Sequence, residues 1–109
     1  MGKIESKEIE NYLKNSLGLS SEEEIKNLLE LAKLNVKKHL KELETFLLAK
    51  DFENISKTAH TLKGVVLNLG LTEIAKTLKI VELKAKEEKN IKEIIKLFEN
   101  IKTILKDIC

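Results

Sequence analysis

From Ile25 to Ile108 the apolar residues recur three and four positions apart in run after run, and the chain has no proline to interrupt them. That spacing places side chains on one side of a helix of 3.6 residues per turn, and on no single face of a strand. The first run is Ile25, Leu28, Leu29, Ala32, Val36, Leu40, Leu43 and Leu47. It follows a helix-start signal, Ser20-Ser21-Glu22-Glu23-Glu24, and should end near Ala49. Asp51 is the next cap, and Phe52 to Leu69 the next helix, stopped by Gly70 where a left-handed residue is wanted. Thr72 caps a third helix, striped by Ile74, Ala75, Leu78, Val81 and Ala85. Asn90 and Glu93 read as a capping box for the last, striped by Ile91, Ile94, Ile95, Phe98, Ile101, Leu105 and Ile108.

Ile4 to Leu17 forms a shorter amphipathic stretch before Gly18. Connections this short make sequential helices antiparallel neighbours. The chain is therefore expected to be all-α, a single domain over 1–109. It divides into a short N-terminal helix over 1–18 and an antiparallel, up-down four-helix bundle over 21–109. A monomer is expected, because all the stripes can face one core.

Composition excludes several functions. The 20 basic residues are all Lys and face 18 acidic ones, too even a balance to imply a polyanion partner. Without Arg the commonest contact to guanine is missing, and three Phe and one Tyr make a poor base-stacking platform. Nucleic acid is not an expected partner. The single cysteine, Cys109, rules out an internal disulfide and any multi-cysteine metal site. No apolar run approaches the ~18 residues of a membrane span, and no secretory segment follows Met1-Gly2-Lys3. A reduced, cytoplasmic setting is expected, with no membrane insertion.

The segment AHTLKGVVLNLG, residues 59–70, sets a histidine and a glycine four apart within a strong helix. On the helical projection Ile55, Thr58, Leu62, Val65, Val66 and Leu69 form the core face, with Phe52 and Ala59 at its edge, and His60 lies opposite. Near it fall Glu53, Ser56, Gly64 and Leu67, flanked by Lys57 and Lys63. Gly64 removes a side chain that would crowd the imidazole, and Leu67 is apolar where a polar residue belongs. A bared ring, a gap and an apolar contact between two ammonium groups describe a docking face. His39, by contrast, falls within the first helix's stripe and is expected to be a partly buried structural residue.

Metal binding at His60 would need ligands at i+3 or i+4, where Lys63 and Gly64 stand. Acid–base catalysis wants a cleft and an orienting carboxylate, and a convex bundle surface is expected to offer neither. Nucleophilic attack by the imidazole on a phosphoryl group remains, with Lys57 and Lys63 offsetting the phosphoryl charge. Any Mg²⁺ would come from the partner.

AHTLKG, followed by NLG and LTEIAKTLKIVELKAK, resembles the histidine phosphotransfer (HPt) domain of bacterial multistep phosphorelays. The likeness runs from about Ser21 to the C-terminus and is sharpest over Asp51–Ala85, where Asn68-Leu69-Gly70 and Glu82 add to it. The resemblance implies that His60 is the phospho-acceptor and that Lys63 positions and neutralises the phosphoryl group. It also implies that Gly64 lets a response-regulator receiver domain approach. Lys57, Leu67 and Lys79 would join the partner-binding surface, with Lys76. Ile80 and Leu83 either share that surface or pack against the short N-terminal helix. The implied partners are receiver domains and a hybrid histidine kinase. No intrinsic cofactor is implied, the receiver bringing the Mg²⁺. The chain departs from the family at Val65, Val66 and Leu67, where many members carry small residues. Of these, Leu67 bears on which receiver docks.

Two other readings stand beside this one. The first is the phosphorylatable N-terminal domain of a chemotaxis-type histidine kinase, whose donor is a kinase domain. The second is a helical adaptor with no phosphorylation. An autonomous kinase is not expected, since no glycine-rich nucleotide loop is present.

Overall fold

Helix ends, more than helix interiors, decide how this chain turns back on itself. The computed structural model describes residues 22–106 together with Ile9, Asn11, Tyr12 and Asn15. It contains helices α1 (Glu22–Leu48), α2 (Phe52–Asn68), α3 (Thr72–Lys86) and α4 (Ile91–Lys106), with no strand among the described residues. The helix expected over 1–18 lies outside the described residues apart from those four positions. So do the serine cap before α1, Ile108 and Cys109.

Three of these ends share one geometry. After α2, Gly70 takes φ +78. Its N–H donates to the Leu67 carbonyl at 3.0 Å, and the Leu71 N–H donates to the Val66 carbonyl at 2.9 Å. These two bonds make a Schellman stop, which satisfies carbonyls the helix leaves open. After α1, Lys50 does the same at φ 53, with Lys50 donating to Leu47 at 3.1 Å and Asp51 to Phe46 at 3.0 Å. After α3, Glu88 does so at φ 55, with bonds to Ala85 at 3.0 Å and from Lys89 to Lys84 at 3.4 Å. Only the first of these left-handed residues is a glycine.

The helix starts follow the sequence unevenly. Asp51 caps α2 as expected, accepting from the Asn54 N–H at 3.2 Å and from its side-chain amide at 2.7 Å. Thr72 does not cap α3. It is the first helical residue, and Leu71 holds the cap position with no side-chain hydrogen bond. Nor do Asn90 and Glu93 form a capping box. Asn90 has a left-handed φ of 56, and the Glu93 carboxylate reaches across to Lys84 of α3 at 3.2 Å.

Each helix turns its stripe inward. Val36, Leu43, Ile55, Leu62, Ile74, Leu78, Ile94, Phe98, Ile101 and Leu105 are fully buried, and Ile9 joins them. Some expected core positions differ: Leu28, Ala32, Leu40, Val65 and Ile91 are half-buried at the rim of the core, and Ile95 is exposed. The most extensive packing is α2 on α3, then α1 on α2, while α4 lies against α3 and touches α1. No helix among the described residues is long and apolar enough to cross a membrane.

Candidate functional site

His60 lies on the third turn of α2, on the side away from the core, and its side chain is 65% exposed. Its Nδ1 meets both oxygens of Glu82, at 3.3 Å from Oε1 and 3.2 Å from Oε2. Glu82 stands on α3 between Val81 and Ala85, within that helix's buried stripe, and is 5% exposed. His60 and Lys63 project from neighbouring positions on one flank of α2, and their side chains converge on this one carboxylate. Lys63 donates to Oε1 at 3.1 Å, and Lys86, one turn further along α3, lies 3.4 Å from Oε2.

Charge follows from that convergence. Burial on its own raises the Glu82 carboxyl, but the hydrogen bonds from Lys63 and His60 outweigh it. With the charge of Lys63 and the bond from Lys86 they bring it down from 4.5 to about 2. At neutral pH Glu82 is thus an acceptor only, so the close nitrogen must carry the hydrogen. In the neutral ring that leaves Nε2 with a lone pair and no proton. Glu82 selects the tautomer.

This corrects one of two expectations, that the surface would lack an orienting carboxylate and that it would lack a cleft. Glu82 provides the carboxylate. The second expectation stands: the depression of about 390 Å³ lined by Ser56, Lys57, His60, Thr61, Glu82 and Lys86 is shallow and open to solvent. Ser56 is also corrected: it was expected on the open face and is buried. The projection measures distance from the core, whereas α3 covers the flank of α2 that carries Ser56 and Lys63. Glu82 did leave a signal in the sequence, as a carboxylate within an apolar stripe and one turn before a lysine. A buried charge needs a partner.

The remaining expected residues are placed as follows. The Lys57 ammonium pairs with Glu53 at 3.1 Å on the surface, and Lys79 is exposed. A Cβ added to Gly64 would meet no heavy atom within 4 Å. The helix surface is therefore open beside the imidazole. Leu67, Ile80 and Leu83 are 43%, 45% and 46% exposed. His39 is half-buried, with Nδ1 2.7 Å from the Asn35 carbonyl oxygen, as befits a structural residue. Among the described residues no group of three His, Cys, Asp or Glu side chains could hold a metal ion.

The family model for the Hpt domain matches residues 27–108, which spans most of the chain and all of this site. The chain belongs to the Hpt family. No curated protein and no solved structure matches it. Hpt domains are phosphocarriers that act by histidine phosphotransfer in phosphorelays together with response-regulator receiver domains. The matched region of this Hpt domain contains both histidines, and the two differ in setting. His39 spends its Nδ1 within its own helix, while His60 spends its Nδ1 on α3 and turns the rest of the ring to solvent.

Proposed function

We propose that His60 is the phospho-acceptor of this Hpt domain. In this reading Nε2 attacks the phosphorus of a receiver domain's aspartyl phosphate. The N–P bond forms as the bond from phosphorus to the aspartyl oxygen breaks, and the carboxylate leaves with the electron pair. Mg²⁺ belongs to the receiver. A second receiver aspartate then takes the phosphoryl group by the reverse displacement, and a hybrid histidine kinase stands upstream. The observation that carries this reading is the Nδ1 contact with buried, ionised Glu82, which leaves an exposed Nε2 as the nucleophile.

The neighbouring residues fit complementary roles. Positive charge that develops on the ring as the N–P bond forms is offset by Glu82 behind it. Lys63 can share its ammonium between Glu82 and a phosphoryl oxygen, and Lys57 can exchange exposed Glu53 for one. Gly64 gives a receiver close access to backbone. Leu67, Ile80 and Leu83 supply apolar contact, with Lys79 at the rim. The exposure of Ile80 and Leu83 favours docking over cover by the N-terminal segment. The scaffold is read as one up-down domain, antiparallel through connections at 49–51, 69–71 and 87–90.

The test is label transfer. Incubation with a receiver carrying ³²P on its aspartate should move acid-labile label to the wild-type chain and none to His60→Gln, whose helical signal and melting temperature stay unchanged. Label retained in His60→Gln contradicts the assignment. Label gained only from an ATP-dependent kinase domain contradicts the receiver as donor.

A further inference from the structure

The solvent side of α1 carries a pattern that the phosphotransfer site does not use. Opposite the buried Val36, the positions spaced three and four apart are Glu24, Asn27, Leu31, Leu34, Lys38, Lys41, Thr45 and Leu48, and all eight are exposed. Leu31 and Leu34 are 60% and 63% exposed, among the most open large apolar side chains of the molecule. Leu31 also borders a groove of about 520 Å³ between α1 and α2, whose lining includes Tyr12, Leu28, Ala32, Val65 and Leu69.

Of the charged positions on this face, Glu24 lies before the leucines and Lys38 and Lys41 lie after them, with Glu30 and Lys37 at its edge. A second copy laid parallel and in register would set Lys38 on Lys38 and Lys41 on Lys41. Laid antiparallel about the midpoint between the leucines, the same helix sets Leu31 against Leu34, Asn27 against Lys38 and Glu24 against Lys41. Glu30 then flanks Lys37. Each contact occurs twice under the two-fold axis, as a self-complementary interface requires. We infer that the solvent face of α1 is a homotypic interface through which two copies of this chain pair antiparallel, centred on Leu31 and Leu34.

The apolar centre is two leucines from each copy, so the pairing is weak, reversible and favoured by high local concentration. Opposed charges around it set the orientation and make it sensitive to salt. His60 and Glu82 lie on the α2–α3 side, away from this face, so the pair retains two open phosphotransfer sites. This departs from the expected monomer: the stripes do turn to one core, but α1 carries a second apolar centre outside it.

Sedimentation equilibrium of the full chain tests this between micromolar and millimolar concentration at low and high salt. Dimerisation with a midpoint of about 0.1–1 mM at low salt is expected, weaker as salt rises. Lys41→Glu and Glu24→Lys should each weaken association by about tenfold or more, since each creates two like-charge pairs. The combined Glu24→Lys/Lys41→Glu chain should recover association to within about threefold, because the pairs are reversed and restored. Leu34→Lys should abolish association while helicity stays unchanged. A monomer throughout that range, a dimer indifferent to these changes, or no recovery in the combined variant overturns the inference. If Leu34→Lys instead removes transfer from the phosphorylated receiver with no change in mass, the face belongs to the receiver, and the inference is overturned in that way. Transfer to His60 in the monomeric variants reports separately on the proposed function.

Discussion

Replacing Glu82 tests the imidazole directly, because its carboxylate oxygen lies 3.2 Å from Nδ1 and an ionised acceptor there favours the hydrogen on that nitrogen. Glu82→Gln keeps an acceptor oxygen within reach and should preserve the tautomer. Glu82→Ala removes the acceptor, so ¹⁵N spectra of the ring should show an appreciable Nε2–H population and phosphoryl transfer should slow roughly 10–100-fold. A tautomer unchanged in Glu82→Ala would mean that Glu82 does not select it. The same residue links folding to pH. Its folded value of about 2 lies below the ordinary 4.5, so the folded state gives up its proton more readily than the unfolded chain. The resulting stabilisation is fully present above pH 4.5 and is lost as pH falls from there towards 2. It amounts to on the order of 3 kcal/mol. Urea unfolding across that window should show the loss in the wild type, and a flatter profile in Glu82→Gln. Gly64 separates stability from docking. Gly64→Ala should stabilise α2 by about 1 kcal/mol in thermal unfolding, since its Cβ meets open space. Gly64→Gln should fold equally well yet slow transfer from a receiver, because the added side chain would stand where the proposed docking brings the partner close.

At the scale of elements, the helix ends hold the unused stability. Lys50 and Glu88 take a conformation that costs a residue with a Cβ roughly 1–2 kcal/mol. Lys50→Gly and Glu88→Gly should each therefore raise the melting temperature, by about 0.5–1 kcal/mol in free energy once the greater freedom of the unfolded chain is deducted. Gly70→Ala should do the reverse. At φ +78 a Cβ is strained, and it would lie 2.6 Å from the Tyr12 Cγ, so that turn or the Tyr12 ring must shift. Helices were legible in the sequence because a core stripe is a one-dimensional pattern: Val36, Leu43, Leu62 and Leu78 are buried where the spacing puts them. Caps were less so. Asp51 bonds to its own first turn and reads correctly. Thr72 and Glu93 do not take the cap roles their spacing suggests, because the tight turn at Gly70 and the attraction of Lys84 settle those starts instead.

At the scale of the molecule, the site is a meeting of helices. His60 and Lys63 belong to α2, Glu82 and Lys86 to α3, and their contacts depend on how the two helices are set against each other. The sequence could place His60 on the open face of its own helix, and that expectation matches the structure. The pairing of His60 with Glu82 could not be read in the same way, because it joins residues 22 positions apart across an interface. Burial of Ser56 was missed for the same reason. Packing that fixes this register should be felt at the site from a distance. Leu62→Ala or Leu78→Ala, fully buried on the two facing helices, should cost about 2–5 kcal/mol and loosen the ring's attachment. Line broadening of the His60 ring resonances below the melting temperature would report that loosening.

The most direct measurement is phosphorus–nitrogen coupling in the ¹⁵N-histidine-labelled chain after phosphorylation by a receiver. The account predicts a single phosphohistidine, with phosphorus coupled to Nε2 of His60 and the hydrogen retained on Nδ1 against Glu82. Phosphorus on Nδ1, or on His39, would contradict it.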